Sequence, residues 1–214
     1  MVTIIYLIRH SETLVRKDFD LYQSNDSIQS VNEKIIVSVE GEKKAQRLSE
    51  CKELQNLDAV WTSNYVRAIA TAKYLAYKND LSLNLDQRLD ERKYGIPHPN
   101  EDKLSFWREQ YLCKDYKNEE GESQEEVRNR MYNVIEEVVK KYKGKRIALV
   151  SHGTSISFLL LKWCTLKEVD VTKRRHILYQ GKILINEKFH APEVFKVVME
   201  EDCIPLSIER ILLQ

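Results

Sequence analysis

Two histidines, two arginines and a glutamate stand in this chain where an anion could be bound and attacked. His10 directly follows Arg9, in Ile8-Arg9-His10-Ser11-Glu12-Thr13. His152 lies in Ser151-His152-Gly153-Thr154, Arg67 in Ser63-Asn64-Tyr65-Val66-Arg67, and Glu91 in Leu89-Asp90-Glu91-Arg92-Lys93-Tyr94-Gly95. An imidazole whose attacking nitrogen is unprotonated is a nucleophile near neutral pH. A guanidinium fork matches phosphoryl oxygens. A carboxyl group can pass a proton to a leaving oxygen and take one from water. Each residue taken alone has a plainer reading: a buried structural histidine for His10 or His152, a solvated helix residue for Arg67, an exposed charged loop for Glu91. Chemistry requires that the fold bring them together.

The elements around them could do so. Val2 to Ile8 is a β-branched, apolar run closed by a charged pair, which suits a strand buried on both faces. Asp58 to Trp61 and Arg146 to Val150 read as further strands, and a weaker one lies near Leu81 to Leu85. Helical patterns follow several of them. Ser38 caps one that carries Ala45, Leu48 and Leu54 on a face. Ser63 is placed to cap another, with Ala70, Tyr74 and Leu75 inward. Ser123 and Glu126 form a capping box before the stripe Val127, Met131, Val134, Val138, Tyr142, which Gly144 ends. A last helix begins at Thr154. Phe19 to Ile35 has no clear period and reads as a loop. Ile177 to Ile185 and Val194 to Glu200 read as strands, with turns at Gly181 and Pro192.

Alternation of strand and helix predicts an α/β fold with a mainly parallel central sheet covered by helices. Ligands bind such sheets beyond the carboxyl ends of strands. Here those places are just after Ile8, Trp61 and Val150, where the histidines and arginines stand. Two helix N-termini face the same rim, and free N–H groups there favour anions. Residues 1–214 read as one domain, with a stretch at about 95–121 that interrupts the pattern. It holds Pro97, Pro99 and a short amphipathic piece from Leu104 to Leu112, and reads as an insertion capping the substrate site.

Composition excludes some functions. The 34 basic and 33 acidic residues leave a formal charge of +1, so nothing global draws nucleic acid or an anionic membrane. No apolar run is long enough to span a bilayer, and the first residues lack the basic leader of a signal peptide. A cytoplasmic location is expected. Cys51, Cys113, Cys164 and Cys203 have no metal-ligand spacing and read as reduced, mostly buried thiols.

Six stretches, IRHSET, VEGEKKA, WTSNYVRAIATA, LDERKYG, GESQEEV and ALVSHGTS, together resemble the histidine phosphatase superfamily, which includes cofactor-dependent phosphoglycerate mutase. They occur in the family's order from Val2 to about Leu160. The resemblance implies a phosphoglycerate mutase-like fold, a three-layer α/β/α sandwich, and a metal-independent phosphomonoester hydrolase working through a phosphohistidine. It makes His10 the nucleophile, Arg9 and Arg67 the ligands of the phosphoryl oxygens, His152 the second pocket histidine, and Glu91 the general acid and base. Ser11 and Thr154 are added as phosphate ligands. Ser11 departs from the family's usual glycine: it keeps a backbone N–H and adds a hydroxyl that could donate to phosphate or crowd it. The expected partner is a small phosphorylated metabolite, with no cofactor and no metal. Phosphoglycerate mutase is the alternative enzyme, argued by LDERKYG and opposed by residues 96–121, which do not resemble the mutase's substrate segment. A non-catalytic phosphate-binding domain is the alternative of another class.

Other conspicuous residues have plainer readings. His98 is an exposed loop residue, and His176 and His190 are structural or exposed. Lys173-Arg174-Arg175 is a solvated turn. Phe106 and Trp107 either line the substrate pocket or pack the insertion onto the domain. Glu119 to Glu126 is a helix start stabilised by the dipole, not a metal site. The C-terminal strands, through Val197 and Ile208, offer an edge on which a homodimer could form.

Overall fold

The computed structural model describes residues 1–14, 27–98 and 102–213. Strand β1 (Thr3–Arg9) is central, and its alternating side chains go to opposite faces. Ile5 and Leu7 join the cluster containing Val127, Met131, Val134, Ile156 and Phe158, while Tyr6 and Ile8 join the one containing Leu48, Ala68, Ala72 and Leu75. The first cluster belongs to helices α5 (Gln124–Lys141) and α6 (Gly153–Leu160), the second to α2 (Val39–Glu50) and α3 (Val66–Lys78). Two helical layers thus enclose one sheet, the three-layer arrangement that the resemblance implies.

The main sheet has the order β3-β2-β4-β1-β8-β9, with β2 (Ala59–Thr62), β3 (Leu83–Leu85), β4 (Arg146–Ser151), β8 (Glu193–Met199) and β9 (Pro205–Ile211). Strands β1 to β4 are parallel, β8 is antiparallel to β1, and β9 is antiparallel to β8. Val197 therefore lies on an interior strand, and β9 alone forms that edge. A second, antiparallel sheet contains β5 (Thr165–Val169), β6 (Arg175–Tyr179) and β7 (Lys182–Glu187). The last two are joined at Gln180 and Gly181, both with positive φ, a two-residue hairpin of the kind Gly181 predicts.

Several sequence expectations need correction. The stretch expected as a loop from Phe19 lies outside the described residues up to residue 26, but Ile28–Lys34 is helix α1, capped by Ser27. Its short length and mixed composition hide the period. Tyr65, not Ser63, is the N-cap of α3, and that helix turns Ala68, Thr71, Ala72 and Leu75 inward, with Ala70 and Tyr74 only partly buried. Strand β5 was not visible in the pattern because it is largely exposed. Of the four free cysteines only Cys203 is buried. Among the described residues no helix is long and apolar enough to cross a membrane.

The excursion after Glu91 leaves and returns at one point. The Ile96 and Glu122 amides donate to the Glu119 and Lys93 carbonyls, both from close by (2.9 and 3.0 Å). Gly95 has φ +77, and a Cβ there would lie 2.4 Å from the Glu119 carbonyl oxygen, so only glycine fits. Helix α4 (Lys103–Leu112) buries Phe106, Trp107 and Tyr111 beneath it. Pro99 lies outside the described residues, and His98 is exposed.

The chain beyond His10 is stitched to the start of α2. The Ser38 amide donates to the Glu12 carbonyl at 3.0 Å, and Ser38 Oγ accepts from the Gly41 amide at 2.9 Å. A Cβ at Gly41 would sit 2.0 Å from the Glu12 oxygen. Gly41→Ala is therefore expected to cost about 1–3 kcal/mol through overpacking, read as a lower urea midpoint. An unchanged midpoint would show that the approach is not tight.

Candidate active site

Parallel register brings the expected residues together. Arg9 on β1 pairs with Ser151 on β4, and Thr62 on β2 pairs with Val150. The next residues, His10, His152 and Ser63, therefore leave three adjacent strands at one rim. Backbone bonds continue the ladder one step: the His10 amide donates to the Ser151 carbonyl (2.9 Å), and the Ser63 amide to the Val150 carbonyl (3.0 Å). The His10 and His152 ring centroids are 5.0 Å apart.

His10 is 6% exposed. Its Nδ1 lies 2.7 Å from the Ser11 carbonyl oxygen. A carbonyl can only accept, so Nδ1 carries the proton. Arg67 Nε donates to His10 Nε2 at 3.1 Å, which assigns the lone pair to Nε2. Burial, then the charges of Arg67 and Arg9, hold His10 well below the ordinary histidine pKa; the Ser11 bond opposes them and is outweighed. Arg67 is itself buried, and its other nitrogens donate to the Asn32 carbonyl and, at 3.1 Å, to Asn32 Oδ1. Arg9 Nη1 donates to the carbonyls of Phe189 (2.6 Å) and His190 (3.0 Å). A Cβ on Gly153 would come within 3.3 Å of Arg9 Nε, so this glycine leaves room for the arginine.

His152, fully buried, is oriented from behind. Ser63 Oγ lies 2.8 Å from His152 Nε2 and 2.7 Å from Asp90 Oδ1, and it accepts from the Tyr65 amide at 3.1 Å. With Asp90 ionised, the single hydroxyl proton goes to that carboxylate, so His152 Nε2 donates and Nδ1 is left with the lone pair. That Nδ1 is buried and has no partner among the described residues. Burial, then Arg67 and His10, keeps His152 neutral, and burial raises Asp90 above the usual carboxylate range.

Glu91 caps α6. Its oxygens accept from the Ser155 amide (3.1 Å), Ser155 Oγ (2.9 Å), the Arg92 amide (2.9 Å) and the Thr154 amide (3.3 Å). The helix N-terminus expected to be open to phosphate thus holds a carboxylate, and the Thr154 amide is engaged with it. Ser11 also departs from expectation. Its hydroxyl donates to the Gly41 carbonyl (2.7 Å) and its amide to Thr71 Oγ1 (2.9 Å), so both donors serve to dock β1 on α2 and α3. Sequence reasoning missed Ser63, Asp90, Ser155 and Asn32. Ser63, Asp90 and Ser155 lie inside stretches already singled out, and for the first two a cap and a charged loop were the simpler readings. Among the described residues no group of three or more histidine, cysteine, aspartate or glutamate side chains is set to hold a metal ion.

A buried imidazole whose Nε2 lone pair meets the Arg67 Nε–H, with Arg9 and the Glu91 carboxylate on the same α/β rim, is the setting of a phosphoryl-transfer enzyme. The chain belongs to the histidine phosphatase superfamily (branch 1), whose profile matches residues 5–185. It is 29% identical over 163 residues to a probable phosphoglycerate mutase GpmB of Cronobacter sakazakii, covering 73% of this chain and 72% of the relative. Its fold is similar to that of a mycobacterial glucosyl-3-phosphoglycerate phosphatase (TM-score 0.65, 18% identity, 99% and 97% of the two chains). It is also similar to a phosphoserine phosphatase of Entamoeba histolytica (TM-score 0.62, 18% identity, 97% and 96% covered).

Both histidines lose proton affinity on folding. Stability is then complete above the ordinary value of 6.5 and falls as pH drops below it toward the depressed folded values. The loss reaches about 1.4 kcal/mol per pH unit for each histidine. Urea unfolding at several pH values should show this slope, and His10→Asn should make it shallower. An identical slope in the variant would mean that His10 is not held neutral.

Proposed function

We propose that the protein is a metal-independent phosphomonoester hydrolase acting through a phosphohistidine at His10. The observation that carries this reading is the buried His10 ring with its proton on Nδ1 and its lone pair on Nε2, facing Arg67. The substrate's phosphoryl group displaces the Arg67 Nε–H from Nε2 and takes it over, with Arg9, as donors to its oxygens. Nε2 then forms a bond to phosphorus as the ester P–O bond breaks. Attack by a neutral imidazole leaves a positive ring, which the Nδ1–H bond to the Ser11 carbonyl stabilises. The leaving oxygen takes a proton from Glu91, which must arrive protonated for this step. In the second step water attacks phosphorus, the P–N bond breaks, and Glu91 takes the proton. Phosphate dianion beside His152 favours a proton on Nδ1, which then donates to a phosphoryl oxygen while Nε2 stays anchored through Ser63 to Asp90. Four free cysteines fit a reducing, cytoplasmic setting.

The names of relatives such as that of Cronobacter sakazakii support a second reading, phosphoglycerate mutase. One experiment separates the two. With 3-phosphoglycerate, with and without a bisphosphorylated primer, the hydrolase releases inorganic phosphate in EDTA and needs no primer. Primer-dependent 2-phosphoglycerate formed faster than phosphate would establish the mutase. For the hydrolase, Glu91→Gln should lower kcat about 10²–10⁴-fold, and phosphate release at the wild-type rate would remove Glu91 from the mechanism.

A further inference from the structure

Arg9 has a buried carboxylate across the sheet from it, and no step above uses that group. Strand β8 runs antiparallel to β1, and their register sets Glu193 opposite Arg9. Glu193 is 4% exposed. A carboxylate this deep is costly unless its oxygens are matched. Both are matched here: Oε2 accepts from the His190 amide at 2.6 Å, and Oε1 accepts from Arg210 Nε on β9. Arg210 Nη1 also donates to Glu187, the last residue of β7, and His190 Nε2 lies 3.1 Å from that carboxylate.

The bond to the His190 amide reaches Arg9 through a single peptide unit. That N–H and the Phe189 carbonyl belong to one planar group, and the Phe189 carbonyl accepts from Arg9 Nη1 at 2.6 Å. The His190 carbonyl accepts from the same nitrogen at 3.0 Å. A carboxylate on the N–H polarises the peptide and makes its carbonyl a stronger acceptor. Arg210, Glu193, the peptide and Arg9 thus form one chain of alternating charge. The Phe189 ring, 6% exposed, packs on Phe195 of β8 with centroids 5.3 Å apart and holds the residue from its other side.

An Nη group has two hydrogens, and the two carbonyls take both from Nη1. What remains on Arg9 is the edge formed by Nε and Nη2, whose parallel N–H groups match two phosphoryl oxygens. Nε is buried and has no partner among the described residues, a donor that a bound oxygen would satisfy.

We infer that Glu193 is a positioning residue for the phosphoryl pocket: through the Phe189–His190 peptide it holds Arg9 with its Nε–Nη2 edge free for phosphoryl oxygens, and Arg210 keeps Glu193 in place. This rests on the reading above only in taking Arg9 as a phosphoryl ligand. Strands β8 and β9 then contribute to phosphoryl binding without touching the ligand. An ion pair that served only to close β9 on β8 would stabilise the fold and leave phosphoryl affinity alone.

Calorimetric binding of orthovanadate, a phosphoryl mimic, tests this without turnover in the native protein, Glu193→Gln, Arg9→Lys and the double variant. Glutamine keeps the size of Glu193 but has one oxygen for two donors. Lysine keeps the charge of Arg9 and lacks the fork. Glu193→Gln should weaken vanadate binding about tenfold, the scale of one charged hydrogen bond. In the Arg9→Lys background the same change should weaken it less than about twofold, because the group being positioned is gone. Arg210→Gln, at the partly exposed end of the chain of bonds, should act in the same sense, and it keeps the test open if Glu193→Gln does not fold. Native affinity in the folded Glu193 and Arg210 variants, or losses that simply add to that of Arg9→Lys, would overturn the positioning role. Arg9-dependent losses without phosphate release by the native protein would sink the hydrolase and leave the positioning role standing. Phosphate release with additive losses would do the reverse, and vanadate that failed to bind the native protein would contradict both.

Discussion

The proton on His10 Nδ1 is shared with the carbonyl of the next residue, Ser11, at 2.7 Å, both residues being buried. That bond decides which ring nitrogen can attack. It needs Ser11 fixed, and Ser11 is fixed by its own bonds to Gly41 and Thr71 on two helices. The departure from the family's usual glycine thus has a structural explanation: the hydroxyl anchors the backbone whose carbonyl sets the tautomer. Gly41 must be glycine for the same reason, since α2 has to approach the chain at Glu12 closely.

Electrostatics at the site run in one direction. Burial, and after it the charges of Arg67 and Arg9, keep His10 and His152 neutral, and burial lowers the proton affinity of the arginines as well. A bound phosphoryl dianion would relieve all of these strains at once. The Ser63–Asp90 pair behind His152 sets its ring orientation before substrate arrives, and the start of α6 does the same for Glu91. The groups are held in place by neighbours outside the pocket, so little reorganisation is left for the reaction.

The sequence made the scaffold legible where burial imposes a strict pattern. β1, β4 and the stripe of α5 are apolar with the right period, and the capping box at Ser123 forms as read, with both of its bonds present. His10, His152, Arg67 and Glu91 were legible through their stretches, and register then placed them. What pattern could not show was where polar side chains spend their hydrogen bonds. Ser11 and Thr154 were assigned to phosphate and Ser63 to a helix cap, whereas partners distant in sequence engage the Ser11 hydroxyl (Gly41), the Ser63 hydroxyl (Asp90) and the Thr154 amide (Glu91). Arg175 was misread for a related reason. Its burial depends on Trp107, Tyr111 and Phe189, which no local window contains.

The phosphorylated intermediate tests the account most directly. Brief exposure to a turned-over phosphomonoester, an alkaline quench, peptide mapping and phosphorus NMR would locate the bound phosphoryl group. The account predicts an acid-labile, alkali-stable phosphate on His10 at Nε2. A phosphoryl group on Nδ1, on another residue, or on none while turnover proceeds would contradict it.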